Sequence, residues 1–219
     1  MVTKSSSNWK HTPGSFDAVH TRECFPTDGN PYGIPSLARV PQKYTPAWMQ
    51  PYRTRLSAAQ RALLGAIHFF LDDYRFESVW NHPHKALNAL RLYGQVVLSP
   101  DFSLYRDWPL AVQLWNTYRN RWCGAKWQAA GLVVVPSLSW STAESYAFAF
   151  AGVPRRSLVA VSGVGMRTSD VVLFETGYRE MVARLQPSLV LVYGPLRASL
   201  QALAPYREYP TRWQQIKGH

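Results

Sequence analysis

Between residues 66 and 193 the chain repeats one design five times: a short apolar run, a polar or glycine-proline junction, then a stretch of helical character. The runs are Ala66–Leu71, Gln95–Leu98, Leu132–Val135, Leu158–Val161 and Leu189–Tyr193. Apolar runs of this length without alternation fit strands buried on both faces, and such strands belong to parallel sheets covered by crossover helices. Five βα units fill roughly 140 residues, against about 250 for a complete (β/α)₈ barrel. The expected fold is therefore α/β: an open, doubly wound, mostly parallel five-stranded sheet with crossover helices. A truncated barrel-like βα repeat is the alternative. Either arrangement gathers the strand exits on one rim, where ligands of such folds bind.

The flanks differ from this middle. Residues 1–56 hold many prolines and aromatics but no helical period, as in Asn30-Pro31-Tyr32-Gly33-Ile34-Pro35 and Thr45-Pro46-Ala47-Trp48. Proline fixes its own φ and pushes its predecessor toward extended geometry. The segment reads as an extended arm of net charge +4, its first dozen residues loose, held by Tyr32, Ile34, Trp48 and Tyr52. The α/β domain is expected over 57–204 and a basic tail over 205–219. Ser57 caps a short helix; further helices are expected over His84–Leu92 (stopped by Gly94), Pro109–Ala130, Thr142–Phe150, Ser169–Leu185 and Leu196–Leu203.

Composition narrows the function classes. Forty-seven per cent hydrophobic residues exclude a wholly disordered chain. No apolar stretch approaches the roughly 20 residues of a membrane span. The first ten residues lack the apolar core of a signal peptide, and Cys24 and Cys123 form neither a disulfide framework nor a metal pattern, so the cytoplasm is the expected compartment. Net charge is +11, with eighteen arginines to six lysines. Arginine suits bidentate phosphate contact, although GC-rich coding enriches it too; the net charge is what coding bias leaves unexplained. A polyanionic partner, nucleic acid, is the expectation.

Acid placement is the strongest local signal. Asp72, Asp73, Glu77, Asp101 and Asp107 stand just past the first two runs in a chain with only thirteen acidic residues. Clustered carboxylates raise one another's pKa, split into acid and base roles, or hold Mg²⁺. The bland alternative is helix capping, which is the reading for Asp107 ahead of Pro109. Ser99, Ser103 and Ser139 lie in exit turns that can cradle phosphate or ribose, and Trp140 can stack a base or needs a covering partner. Arg75 balances the carboxylates. Arg119 and Lys126, two turns apart on the longest helix, can track a phosphate backbone, with a solvated face as the equal alternative. His68 reads as a satisfied core histidine, and Ser162-Gly163-Val164-Gly165 as an anion turn without a dinucleotide fingerprint. His82-Pro83-His84 reads as a surface turn lacking a third metal ligand.

Three sets of residues carry a resemblance: Phe69-Phe70-Leu71-Asp72-Asp73-Tyr74-Arg75-Phe76-Glu77 with Leu98-Ser99-Pro100-Asp101-Phe102-Ser103; Asn116-Thr117-Tyr118-Arg119-Asn120-Arg121-Trp122; and Val135-Pro136-Ser137-Leu138-Ser139-Trp140. Together they resemble the uncharacterised family called domain of unknown function forty-four seventeen, found in bacteria and on phages and plasmids. The resemblance spans roughly residues 30 to 195. It implies that Asp72, Asp73, Arg75, Glu77, Asp101, Arg119, Arg121 and Trp140 belong to the family pattern, and it implies no established activity.

Two functions follow as expectations. In the first, the chain is a hydrolase or transferase acting on nucleic acid or nucleotides. Its catalytic carboxylates are Asp72, Asp73, Asp101 and Glu77; Arg75, Ser99, Ser103, Arg119, Arg121, Ser139 and Trp140 bind the substrate, with or without Mg²⁺. In the second, it is a non-catalytic DNA- or RNA-binding protein of a phage or plasmid, and the carboxylates are structural.

Overall fold

The computed structural model describes residues 17, 19–20, 23–93, 95–164 and 167–217. Within them lie seven strands: β1 (Met49–Pro51), β2 (Ala66–His68), β3 (Val96–Leu98), β4 (Val134–Val135), β5 (Leu158–Ser162), β6 (Leu189–Tyr193) and β7 (Tyr206–Tyr209). The helices are α1 (Ala58–Arg61), α2 (Ser78–Asn81), α3 (Pro83–Arg91), α4 (Leu110–Ala129), α5 (Tyr146–Ala149), α6 (Val171–Leu185), α7 (Ala198–Gln201) and α8 (Arg212–Lys217). Ser57 caps α1 through a reciprocal capping box with Gln60. The stop expected at Gly94, the loose first dozen residues and Gly165 lie outside the described residues.

All pairings are parallel, in the orders β1-β2-β3-β4 and β5-β6-β7. A single parallel bridge, Ser137 to Ala160, joins the two sheets. The expected α/β class with open, parallel strands is what the chain adopts, but the strands among the described residues number seven, not five, and follow chain order without the reversal of a doubly wound sheet. The two additional strands lie inside the segments read as arm and tail. Both are edges, β1 ending in proline and β7 reading Tyr-Arg-Glu-Tyr, and an edge strand half-covered by the core carries no continuous apolar signal.

Alternation along the strands shows what buries them. Ala66, Val96, Leu98, Val135, Leu158, Ala160 and Leu191 meet in one cluster with Met49 and Tyr209, drawing on all seven strands. The intervening Ile67, Val97 and Val134 pack outward under α2, α3 and α4, and Val159, Val161, Val190 and Val192 pack outward under α5, α6 and α7. The sheet is rolled around the shared cluster. His68 on β2 and Tyr193 on β6 bring their rings within 4.3 Å, whereas four strand spacings in a flat sheet would separate them by about 19 Å. The Tyr209 hydroxyl donates to the carbonyl of Pro46 at 2.7 Å, tying β7 to the chain that enters β1. Among the described residues no backbone ladder joins β7 to β1, so the roll stays open.

Candidate active site at the strand exits

Parallel strands place every exit at one end of the roll, and the exits of β3, β4 and β5 open into one cleft of about 640 Å³. Asp101, Ser103, Tyr105, Ser139, Trp140 and Ser162 line it from the exits, and Arg106, Arg167, Asp170 and Phe174 complete the wall.

Asp101, three residues past β3, is only partly satisfied by its surroundings. Its Oδ1 is buried with no hydrogen-bond partner. Burial pushes its carboxyl up to about 7; a hydrogen bond from Ser139 and the Arg121 charge oppose the rise, and the Asp73 charge adds to it. A carboxyl poised near neutrality exchanges protons readily at physiological pH.

Asp73 has the opposite environment. Its carboxylate accepts the Ser103 backbone N–H at 3.1 Å and the Ser103 hydroxyl at 2.8 Å, pinning the β3 exit to the short helical turn Asp73–Arg75. The Ser103 carbonyl accepts Asn116 Nδ2 at 2.7 Å; Asn116 Oδ1 accepts Arg119 at 2.6 Å; Arg119 pairs with Glu77 at 2.5 Å and lies 3.9 Å over the Phe102 ring. These residues form one connected scaffold behind the cleft.

A second scaffold supports β4. Ser99 and Ser137 are buried and exchange hydrogen bonds, with the Ser137 hydroxyl donating to the Ser99 carbonyl at 2.6 Å. Arg121 is buried and donates to the carbonyls of Ser137 (3.1 Å), Ala149 (2.8 Å) and Ala151 (3.1 Å) and to Asn120 Oδ1 (2.5 Å). Burial pushes its guanidinium down to about 9, with Asp101 opposing, so it remains charged at neutral pH.

The residues named from the sequence therefore separate into groups. Asp101, Ser103, Ser139 and Trp140 line the cleft, and Asp73 stands behind Ser103. Glu77, Arg119, Arg121 and Ser99 are committed to internal partners. Asp72 and Arg75 are exposed outside the cleft, and Arg75 makes no ion pair among the described residues. Trp140 has its covering partner: Phe174 stacks on it at 5.4 Å, and Gly177 packs so closely that a Cβ there would lie 2.1 Å from the indole nitrogen.

Three expectations are corrected. Asp107 does not cap α4: Pro109 holds the cap position without a side-chain bond, and Asp107 lines the cleft. Lys126 does not track a backbone, being buried against Glu23 at 2.5 Å, and Arg119 is spent on Glu77. His68 is buried but unsatisfied: its Nδ1 accepts the Phe70 N–H at 3.2 Å, which leaves the hydrogen on Nε2 without a partner.

Gln113, Asn116, Thr117 and Asn120, to which the sequence assigned no role, form the buried polar stripe of α4 that carries both scaffolds. The signal was present, since four amide and hydroxyl side chains recur at helical spacing. The aromatic stripe of the same helix masked it. Among the described residues no three His, Cys, Asp or Glu side chains cluster to hold a metal, and no helix is long and apolar enough to cross a membrane.

Residues 25–210 match the family model described as Domain of unknown function (DUF4417). The chain belongs to this family. It is 45% identical to the Gene 1 protein of Mycobacterium phage L5, covering 97% of this chain and 93% of the phage protein. It is 43% identical to the Gene 1 protein of Mycobacterium phage D29, covering 97% and 79%. No solved structure matches with significance. The DUF4417 span contains all seven strands, including the two that the sequence did not disclose, so the family unit coincides with the rolled sheet.

Proposed function

We propose that this DUF4417 protein is an enzyme acting on nucleic acid or nucleotides, with Asp101 as its proton-transferring group in the cleft over β3–β5. The observation that carries the reading is the Asp101 carboxyl: unpartnered at Oδ1, raised to about 7, and set in the cleft at the strand exits. Such a group protonates a leaving oxygen or nitrogen, or takes a proton from attacking water or a hydroxyl. Hydrolysis or transfer at a phosphodiester or glycosidic bond fits this chemistry. Asp73 acts as a positioning residue through Ser103. Arg167 and Arg106, the latter paired with Asp170 at 2.7 Å, are the cations that line the cleft among the described residues, and Tyr105 offers an aromatic face. Were Mg²⁺ used, Asp101, Asp107 and Asp170 would be the cleft-lining carboxylates to hold it. The phage origin of the relatives supports nucleic acid over metabolism, and action in the cytoplasm is part of the proposal.

The test is product analysis of a panel of oligonucleotides and nucleotides, with and without Mg²⁺, for the wild type and Asp101→Asn. The wild type should release product and the variant should lose about 10²–10⁴-fold in rate. The pH profile should bend near 7, activity falling above that value if Asp101 acts as an acid and below it if it acts as a base. A wild type that binds the panel but converts none of it moves the non-catalytic binding reading, favoured by the +11 charge, ahead of the enzyme.

A further inference from the structure

Arg119, Arg121 and Lys126 are spent on internal partners, so the cations that would meet a polyanion must lie elsewhere. A second groove, of about 480 Å³, runs from the residues after β1 along α2 and α3 and is lined by Arg53, Arg55, Arg61, His82 and Lys85. No carboxylate lines it. All thirteen acidic side chains fall within the described residues, and none pairs with any of these four Arg and Lys side chains. Three arginines and a lysine are thereby exposed to solvent along one groove with their charge uncompensated.

The groove is also built. Arg53 holds a left-handed backbone (φ 67°) that costs a non-glycine residue energy and persists only when its surroundings impose it. Its guanidinium donates to the Ser78 hydroxyl at 2.9 Å and lies 5.4 Å from the Tyr52 ring centre. Its backbone hydrogen-bonds Tyr93, whose hydroxyl also feels the Arg61 charge. These contacts hold the Arg53 side chain in the groove lining.

We propose that this groove binds the sugar-phosphate backbone of a nucleic-acid strand. Guanidinium forks take phosphate oxygens bidentately, and serine and tyrosine hydroxyls in the lining add donors of the kind that contact phosphate and sugar. A hydrophobic partner protein is less well matched, because Leu92 is the only strongly exposed large apolar side chain in the lining. The groove flanks β1 and β2, apart from the cleft over β3–β5, and its ligand binds whether or not Asp101 performs chemistry.

The experiment measures binding of labelled single-stranded and duplex oligonucleotides by the full chain in the Asp101→Asn background, where turnover cannot confuse the reading. The groove variant Arg55→Ala/Arg61→Ala/Lys85→Ala is compared with a charge-matched control, Arg39→Ala/Arg155→Ala/Arg207→Ala, whose sites are exposed elsewhere. The groove variant should weaken binding at least about tenfold at low salt. It should also lower the slope of log affinity against log salt by about 2–3, as expected for three lost phosphate contacts. The control should bind within about threefold of the parent, and all melting temperatures should agree. Equal losses in both variants, or a loss in neither, overturn the proposal. So does groove-dependent binding to phosphatidylserine vesicles without binding to oligonucleotides.

Discussion

The cleft over β3–β5 and the groove beside β1 use polar residues in contrary ways. Behind the cleft, charges and amides are buried or half-buried and chained through short hydrogen bonds: Glu77 to Arg119 to Asn116 to Ser103 to Asp73, and Arg121 to three carbonyls. In the groove, Arg55, Arg61 and Lys85 are exposed and pair with no acid. A buried, satisfied network fixes geometry and makes each member costly to remove, whereas solvated cations give long-range attraction at little cost to the fold. One region is organised to hold atoms in place, the other to gather charge.

The sharpest way to break this contrast is Arg121→Ala. It strands three buried carbonyls and Asn120, and should cost about 3–5 kcal/mol, read as a lower denaturation midpoint at unchanged m-value. A loss below about 1 kcal/mol would mean that the cleft floor is no more rigid than the surface.

Asp101→Asn comes next, and its sign depends on pH. The folded carboxyl sits near 7 against an ordinary value of 3.8. The protonated form favours folding, so this contribution is complete below about pH 4 and is lost as pH rises through 7. Asparagine removes that loss. The variant should be more stable than the wild type by on the order of 2–4 kcal/mol at pH 8, at about 1.4 kcal/mol per pKa unit, and equal to it at pH 4. A gain at pH 4 as large as at pH 8 would show that ionisation of Asp101 is not strained by its burial.

Gly177→Ala has the smallest expected effect on stability and reports on the cleft wall. A Cβ would meet the Trp140 ring at 2.1 Å, so the indole must shift against Phe174 at about 1–3 kcal/mol. Tryptophan fluorescence should change with it, and activity should fall with the distorted wall. Unchanged fluorescence would place Trp140 outside the packed wall.

The five apolar runs between 66 and 193 determine five of the seven strands, because a strand covered on both faces must be apolar at every position. Ser57-Ala-Ala-Gln60 determines its own helix start through local capping. The edges β1 and β7 were not legible, since Gln50, Pro51, Arg207 and Glu208 satisfy a strand only where a neighbour supplies the ladder. Among the site residues, the apolar runs placed Asp101, Ser103, Ser139 and Trp140 at strand exits, where position follows from chain order alone. Tertiary structure decided their fates: which carboxylate is satisfied, as Asp73 is by Ser103, and which is left bare, as Asp101 Oδ1 is. It also turned Arg119 and Arg121 inward and left Arg55 and Arg61 facing solvent. A sequence states how many charges a chain carries, but whether each is spent or free depends on which partner the folded chain brings within hydrogen-bond reach.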